Sequence, residues 1–114
     1  MDIKFKYVIK FVSDMNLAIN FYRDRLGLKL KYQSSEWSEF ETGPTTLALH
    51  VSSPAHPAGS AQLGFGTDNI DDVYKSLLAQ DTAFPKAPEA IHGIKLAEFL
   101  DSENSPCSLS GPIL

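Results

Sequence analysis

Residues 12–30, VSDMNLAINFYRDRLGLKL, decide the fold. Asp14 offers a side-chain oxygen to the unpaired N–H groups at a helix start. Leu17, Ala18, Phe21, Tyr22 and Leu26 then recur at helical spacing. Gly27 supplies the left-handed residue that closes a helix. LKLKYQ begins an alternation with the period of a strand. Upstream, Ile3, Phe5, Tyr7, Ile9 and Phe11 alternate with Lys4, Lys6, Val8, Lys10 and Val12, which is a first strand. Downstream, EWSEFE and TLALHV continue the strand period on either side of the turn residues TGPT. The stretch therefore sits inside a β-α-β-β-β unit spanning residues 1–51.

Residues 52–60, SSPAHPAGS, read as a linker by composition, with small and polar residues, prolines and no periodicity. Then the order begins again over residues 61–114. AQLGFGT is a strand, and Asn69 caps a helix whose apolar face is Ile70, Val73, Tyr74, Leu77 and Leu78. Asp81 closes it less comfortably than a glycine would. TAFPKAPEAI reads as an edge strand interrupted by Pro85 and Pro88. IKLAEFL and PCSLS, joined through a Ser-Glu-Asn-Ser turn, complete the set. The spacing between Asp14 and Asn69 equals that between Tyr7 and Gln62. One supersecondary unit is duplicated within a single domain, giving an α+β fold of tandem βαβββ modules.

A chain of 114 residues supports one core. Its net charge of −4 argues against nucleic acid, whose phosphates are met by Lys and Arg. No apolar run approaches the roughly 18–20 residues that span a bilayer, so no membrane partner is expected. The N-terminal MDIKFKYVIKF lacks a signal peptide's continuous apolar block. Cys107 is the only cysteine, which excludes an internal disulfide and a Cys-rich metal site. A reducing cytoplasm is the expected compartment.

VSDMNLAINFYRDRLGLKL resembles the first strand-helix-strand signature of the vicinal oxygen chelate superfamily, which includes glyoxalases, bleomycin-resistance proteins, fosfomycin-modifying enzymes and extradiol dioxygenases. KLAEFLDSENSPCSLS resembles that superfamily's closing Asp-Pro-Asp-Gly-Asn hairpin in degraded form, with only Asp101 clearly kept. The resemblance implies curved sheets around a cup-shaped cavity, with the helices outside. It also implies where a metal is held in members that have one: seven residues before each helix cap, and at the middle of the last-strand triplets. Those positions here are Tyr7, Gln62, Ala48 and Ser108. The set is chemically poor. Ala48 has no donor atom, Tyr7 is a neutral phenol, Gln62 offers only an amide oxygen, and Ser108 is a weak partner. Neither a metal nor another cofactor is expected.

Chemistry then rests on other residues. His50 shares the cup face with Ala48. It is a ligand contact, a hydrogen-bonded core residue, or a metal ligand or base. Trp37 and Glu39 share a face of the neighbouring strand, with Ser38 and Phe40 on the other. A Glu39–His50 contact follows if the register aligns them. Trp37 is either core packing or a stacking platform. The resemblance puts Tyr7, Ile9 and Phe11 on the cup floor, with Gln62, Gly64 and Gly66 as their counterparts. Lys10 breaks the helix-facing side, and snorkelling along the helix explains it most simply. His92-Gly93 reads as a turn, His56 as solvent-exposed, and Cys107 as a small buried hydrophobe.

The expected ligand-binding set is Tyr7, Ile9, Phe11, Trp37, Glu39, His50, Gln62 and Ser108. The leading function is metal-independent binding of a small aromatic or amphipathic organic ligand, of the bleomycin-resistance type. Its competitor is a lyase, isomerase or dioxygenase-type enzyme with a divergent metal site, or one using His50 as base with Glu39 orienting it. A module kept for protein–protein contact is a third possibility. Each module leaves a sheet face and an edge to cover, so a homodimer is expected.

Overall fold

The computed structural model describes every residue from Met1 to Leu114. The elements are β1 (Lys4–Val12), α1 (Met15–Asn20) running into a π-helical turn (Phe21–Arg25), β2 (Lys29–Tyr32), β3 (Trp37–Glu41) and β4 (Thr46–Val51). They continue as β5 (Ala61–Gly66), α2 (Ile70–Ala79), β6 (Lys86–Ile91), β7 (Ile94–Leu100) and β8 (Pro106–Pro112). The fold is α+β, with the βαβββ order occurring twice. The chain divides into two compact units, Tyr7–Gln62 and Met1–Lys6 with Leu63–Leu114. The first residues of β1 group with the later unit, where Ile3 packs against the cluster of Ile70, Val73, Ala97 and Leu109.

In the unit Tyr7–Gln62 the strand order is β2-β3-β4-β1, with β1 parallel to β4 and the other pairs antiparallel. The Asp14 carboxylate accepts the Leu17 N–H at 3.0 Å, so the capping expectation holds. Gly27 closes the segment at φ +72°. The helix is not regular to that point. Leu26 N–H donates to the Phe21 carbonyl, a five-residue bond that widens the last turn.

The buried face of this helix differs from the expected one. Met15 and Ile19 are buried against Phe40 and Leu49, flanked by Ala18 and Tyr22. Leu17, Phe21 and Leu26 are exposed. Two apolar stripes share helical spacing here, and periodicity alone does not rank them. The stripe that meets Phe40 and Leu49 is the one that is buried.

Residues 52–60 are not a free linker. Phe11 N–H donates to the Ser60 carbonyl at 2.9 Å, and Gly59 N–H donates to the Phe11 carbonyl at 2.8 Å. Ser52 N–H donates to the Val12 carbonyl. Lys10 does not snorkel along α1; its ammonium donates to the Gly59 carbonyl at 2.6 Å. Composition reports only local propensity. The polar backbone of β1 supplies partners that hold this loop in place.

In the second unit the order is β5-β8-β7-β6, with β5 parallel to β8. The Asn69 side chain accepts the Asp72 N–H at 3.2 Å, and Asp81 ends the helical segment at φ +63°. Leu78, expected on the apolar face, is exposed. The β6–β7 register slips between Lys86 and Glu89, around Pro88, which has no N–H for the ladder. His92 (φ +51°) and Gly93 (φ +82°) form the tight turn between Ile91 and Ile94, as read from the sequence. In the degraded hairpin, Asp101 Oδ1 accepts N–H groups from Glu103 and Ser105, and Asn104 takes the left-handed position at φ +58°. No helix is long and apolar enough to cross a membrane.

Candidate functional site

The strand register in the unit Tyr7–Gln62 gathers most of the candidate residues on the sheet face that α1 does not cover. Phe11, His50 and Trp37 are direct neighbours across β1, β4 and β3. Ile9, Ala48 and Glu39 form the adjacent row, and Tyr7 follows on β1 beside Thr46. Alternation puts Ser38 and Phe40 on the opposite face, where both are fully buried. Tyr7 and Trp37 meet edge to face at 5.6 Å. Both pack against the buried cluster of Ile9, Phe11 and Ala48.

Ile9 and Phe11 were expected to line a floor. They are packed into the face, at 5% and 3% exposed. Phe11 is covered by His56, whose ring stacks on it at 4.5 Å and 7°. His56 is therefore half-buried, not solvent-exposed as its loop composition suggested. The loop bonds to Phe11 and Val12 are what carry it there. Nothing in its local sequence signals this role.

The expected contact between Glu39 and His50 does not form. Glu39 stands opposite Ala48, one row from His50. The Trp37 indole N–H donates to Glu39 Oε2 at 2.8 Å, and the Lys31 ammonium lies 3.6 Å from Oε1. Lys31 also donates to Thr46 Oγ1 at 3.4 Å. Lys31 is a residue that sequence reasoning missed. The bulge between Leu30 and Tyr32, invisible in the alternation, is where the β2–β3 register shifts beside it. His50 instead bonds through Nδ1 to the carbonyl oxygen of Val51 at 2.7 Å. Its ring lies 5.5 Å from Phe11 and 5.9 Å from Trp37.

Burial, and then the negative charge of Glu39, push the Tyr7 phenol above its ordinary range, with Lys31 opposing. The folded chain thus holds this proton more tightly than the unfolded chain does. That contribution is fully present below about pH 10, the ordinary tyrosine value, and is lost as pH rises through the folded value. Tyr7→Phe is expected to lessen the alkaline loss of stability in urea titrations. An unchanged alkaline profile would contradict it.

Of the remaining candidates, Gln62 is buried on β5. Ser108 lies in the other unit on β8, between Gly64 and Glu98 in register. Cys107 is buried, and that burial raises its thiol pKa. A cleft of about 320 Å³ lies at the end of β1 and the start of α1, bordered by Lys10, Phe11, Asp14, Leu17, Ala58 and Gly59. It is open to solvent, and the Lys10 ammonium beside it is already engaged by Gly59. The aromatic face has the richer chemistry.

The residues at the metal positions do not fit a metal. Ala48 is fully buried and donorless, and the Tyr7 phenol is held protonated. No group of three or more His, Cys, Asp and Glu side chains is placed to share an ion.

A model of the Glyoxalase/Bleomycin resistance protein/Dioxygenase superfamily matches residues 4–100. No curated protein sequence matches the chain. Among solved structures, a hypothetical protein from Bacillus halodurans C-125 superposes with a TM-score of 0.83 at 13% identity, covering 100% of this chain and 97% of its own. The NAD-dependent benzaldehyde dehydrogenase from Legionella pneumophila gives 0.80 at 13%, covering 94% and 98%. Methylmalonyl-CoA epimerase from Mycobacterium tuberculosis gives 0.77 at 15%, covering 96% and 88%. Likeness at this identity is likeness of fold, and chemistry does not pass with it.

Proposed function

Because the chain belongs to the Glyoxalase/Bleomycin resistance protein/Dioxygenase superfamily, we propose that it uses the aromatic face of β1, β3 and β4 to bind a small aromatic or amphipathic molecule without a metal ion. The observation that carries this reading is the meeting of Tyr7, Trp37 and His50 edge to face on the side of the sheet away from α1. Aromatic side chains with polar tips are the usual makings of an organic ligand site. A general-base role for His50 oriented by Glu39 has no support in the geometry, since Glu39 is engaged by Trp37 and Lys31.

The test is metal analysis of the purified protein beside a thermal-shift screen of aromatic compounds, followed by titration of the strongest. His50→Ala is expected to weaken binding by about 1–2 kcal/mol, the scale of one hydrogen bond, with a melting temperature near the parent's. A chelator should leave the melting temperature unchanged, because no metal-binding free energy is there to lose. Stoichiometric metal, or a drop of several degrees on chelation, would overturn the proposal. A large stability loss in His50→Ala with unchanged affinity would assign His50 to the scaffold.

The proposal includes a homodimer. Leu17, Phe21 and Leu26 expose apolar surface along the α1 segment, which supports pairing of chains. Sedimentation showing a monomer at micromolar concentration would reject it.

A further inference from the structure

We infer that the molecule held at this face presents a hydrogen-bond donor, an N–H or O–H on a planar ring, to Nε2 of His50. The inference rests on the binding reading above and adds the polarity of the group recognised. A carbonyl oxygen only accepts, so the 2.7 Å contact with Val51 places the single proton of a neutral imidazole on Nδ1. Nε2 is then a lone-pair acceptor. It makes no hydrogen bond within the protein, and no buried side-chain nitrogen or oxygen lacks a partner, so Nε2 is reached from outside.

The neighbouring polar groups do not compete for this role. The Trp37 N–H is taken by Glu39 Oε2. The other Glu39 oxygen faces the Lys31 ammonium, which offsets the charge that would otherwise draw a cation. The imidazole is held in orientation by its Nδ1 bond and by the rings of Phe11 and Trp37 on either side. A planar ring laid against Trp37 with its donor toward Nε2 satisfies the one open acceptor of this row. An ether or an N-alkylated indole leaves that acceptor desolvated and unpaired.

Indole and 1-methylindole are matched probes, since they share a ring and differ in the N–H. Titrations with the intact protein at about pH 8 are expected to show indole binding about five- to tenfold more tightly. Long-range ¹⁵N spectra of the free protein should show His50 protonated at Nδ1, with the Nε2 resonance moving when indole is added. His50→Phe keeps a ring between Phe11 and Trp37 and removes the acceptor, so the two probes should then bind equally. Equal binding to the parent protein would overturn the inference while leaving the site intact. So would an Nε2-protonated His50, or an indole preference that survives in His50→Phe. Binding of neither probe would remove the site reading and this inference together.

Discussion

Ala48→Glu is expected to cost about 3–5 kcal/mol of stability, the scale of an uncompensated buried charge, and to bind no metal tightly. Ala48 is fully buried in one cluster with Ile9 and Phe11, against which the Tyr7 and Trp37 rings pack. Its direct neighbour across β3 is Glu39, a carboxylate whose oxygens already face Trp37 and Lys31. A second carboxylate there meets a like charge, displaces an edge-to-face ring pair and finds no donor left to satisfy it. A metal would have to offset all of this with a protonated phenol as its other nearby ligand. Urea unfolding of the variant with and without zinc or manganese measures both quantities. A parent-like midpoint, or recovery of full stability on adding metal, would show that the position retains a coordinating role.

Phe40→Ala is expected to cost about 3–5 kcal/mol, the range for deleting a large buried aromatic side chain. Phe40 is fully buried among Met15, Ile19 and Leu49, with its ring 5.9 Å from that of Tyr22. These residues come from α1, the π-helical turn, β3 and β4, so the cavity would open where the helix meets the sheet. Domains of this size are stable by roughly 5–15 kcal/mol, and the variant should sit near the edge of folding. The urea midpoint should fall sharply, whereas that of His50→Ala should scarcely move. A Phe40→Ala midpoint within measurement error of the parent's would mean that this junction is not the stabilising core.

Much of the fold is legible in short segments because the signals that specify it are local. Asp14 and Asn69 cap helices through their own side chains, within three residues of the N–H groups they accept. Gly27 and the His92-Gly93 turn need a left-handed backbone, and their residue types or contexts announce it. Strand alternation put Tyr7, Ile9 and Phe11 together on one face of β1, and Trp37 and Glu39 on the face of β3 opposite to Ser38 and Phe40. The register of β1, β4 and β3 is what joins those faces with that of His50 into one aromatic surface.

What those side chains do to one another was decided in three dimensions. The sequence allowed Glu39 to meet His50, but register aligned Glu39 with Ala48, and a hydrogen bond and an ion pair gave it to Trp37 and Lys31. Helical spacing allowed Leu17 and Phe21 or Met15 and Ile19 to be buried, and contact with Phe40 and Leu49 selected the second pair. Composition made residues 52–60 a linker, yet backbone bonds to Phe11 and Val12 fix the loop and stack His56 on Phe11. The physical reason is the same in each case. Caps, turns and alternation are satisfied by neighbours in sequence, and the residues alone determined them. Burial, ion pairing and ring stacking are satisfied by partners far along the chain, and only the assembled sheet, helix and loop decided which partner each residue took.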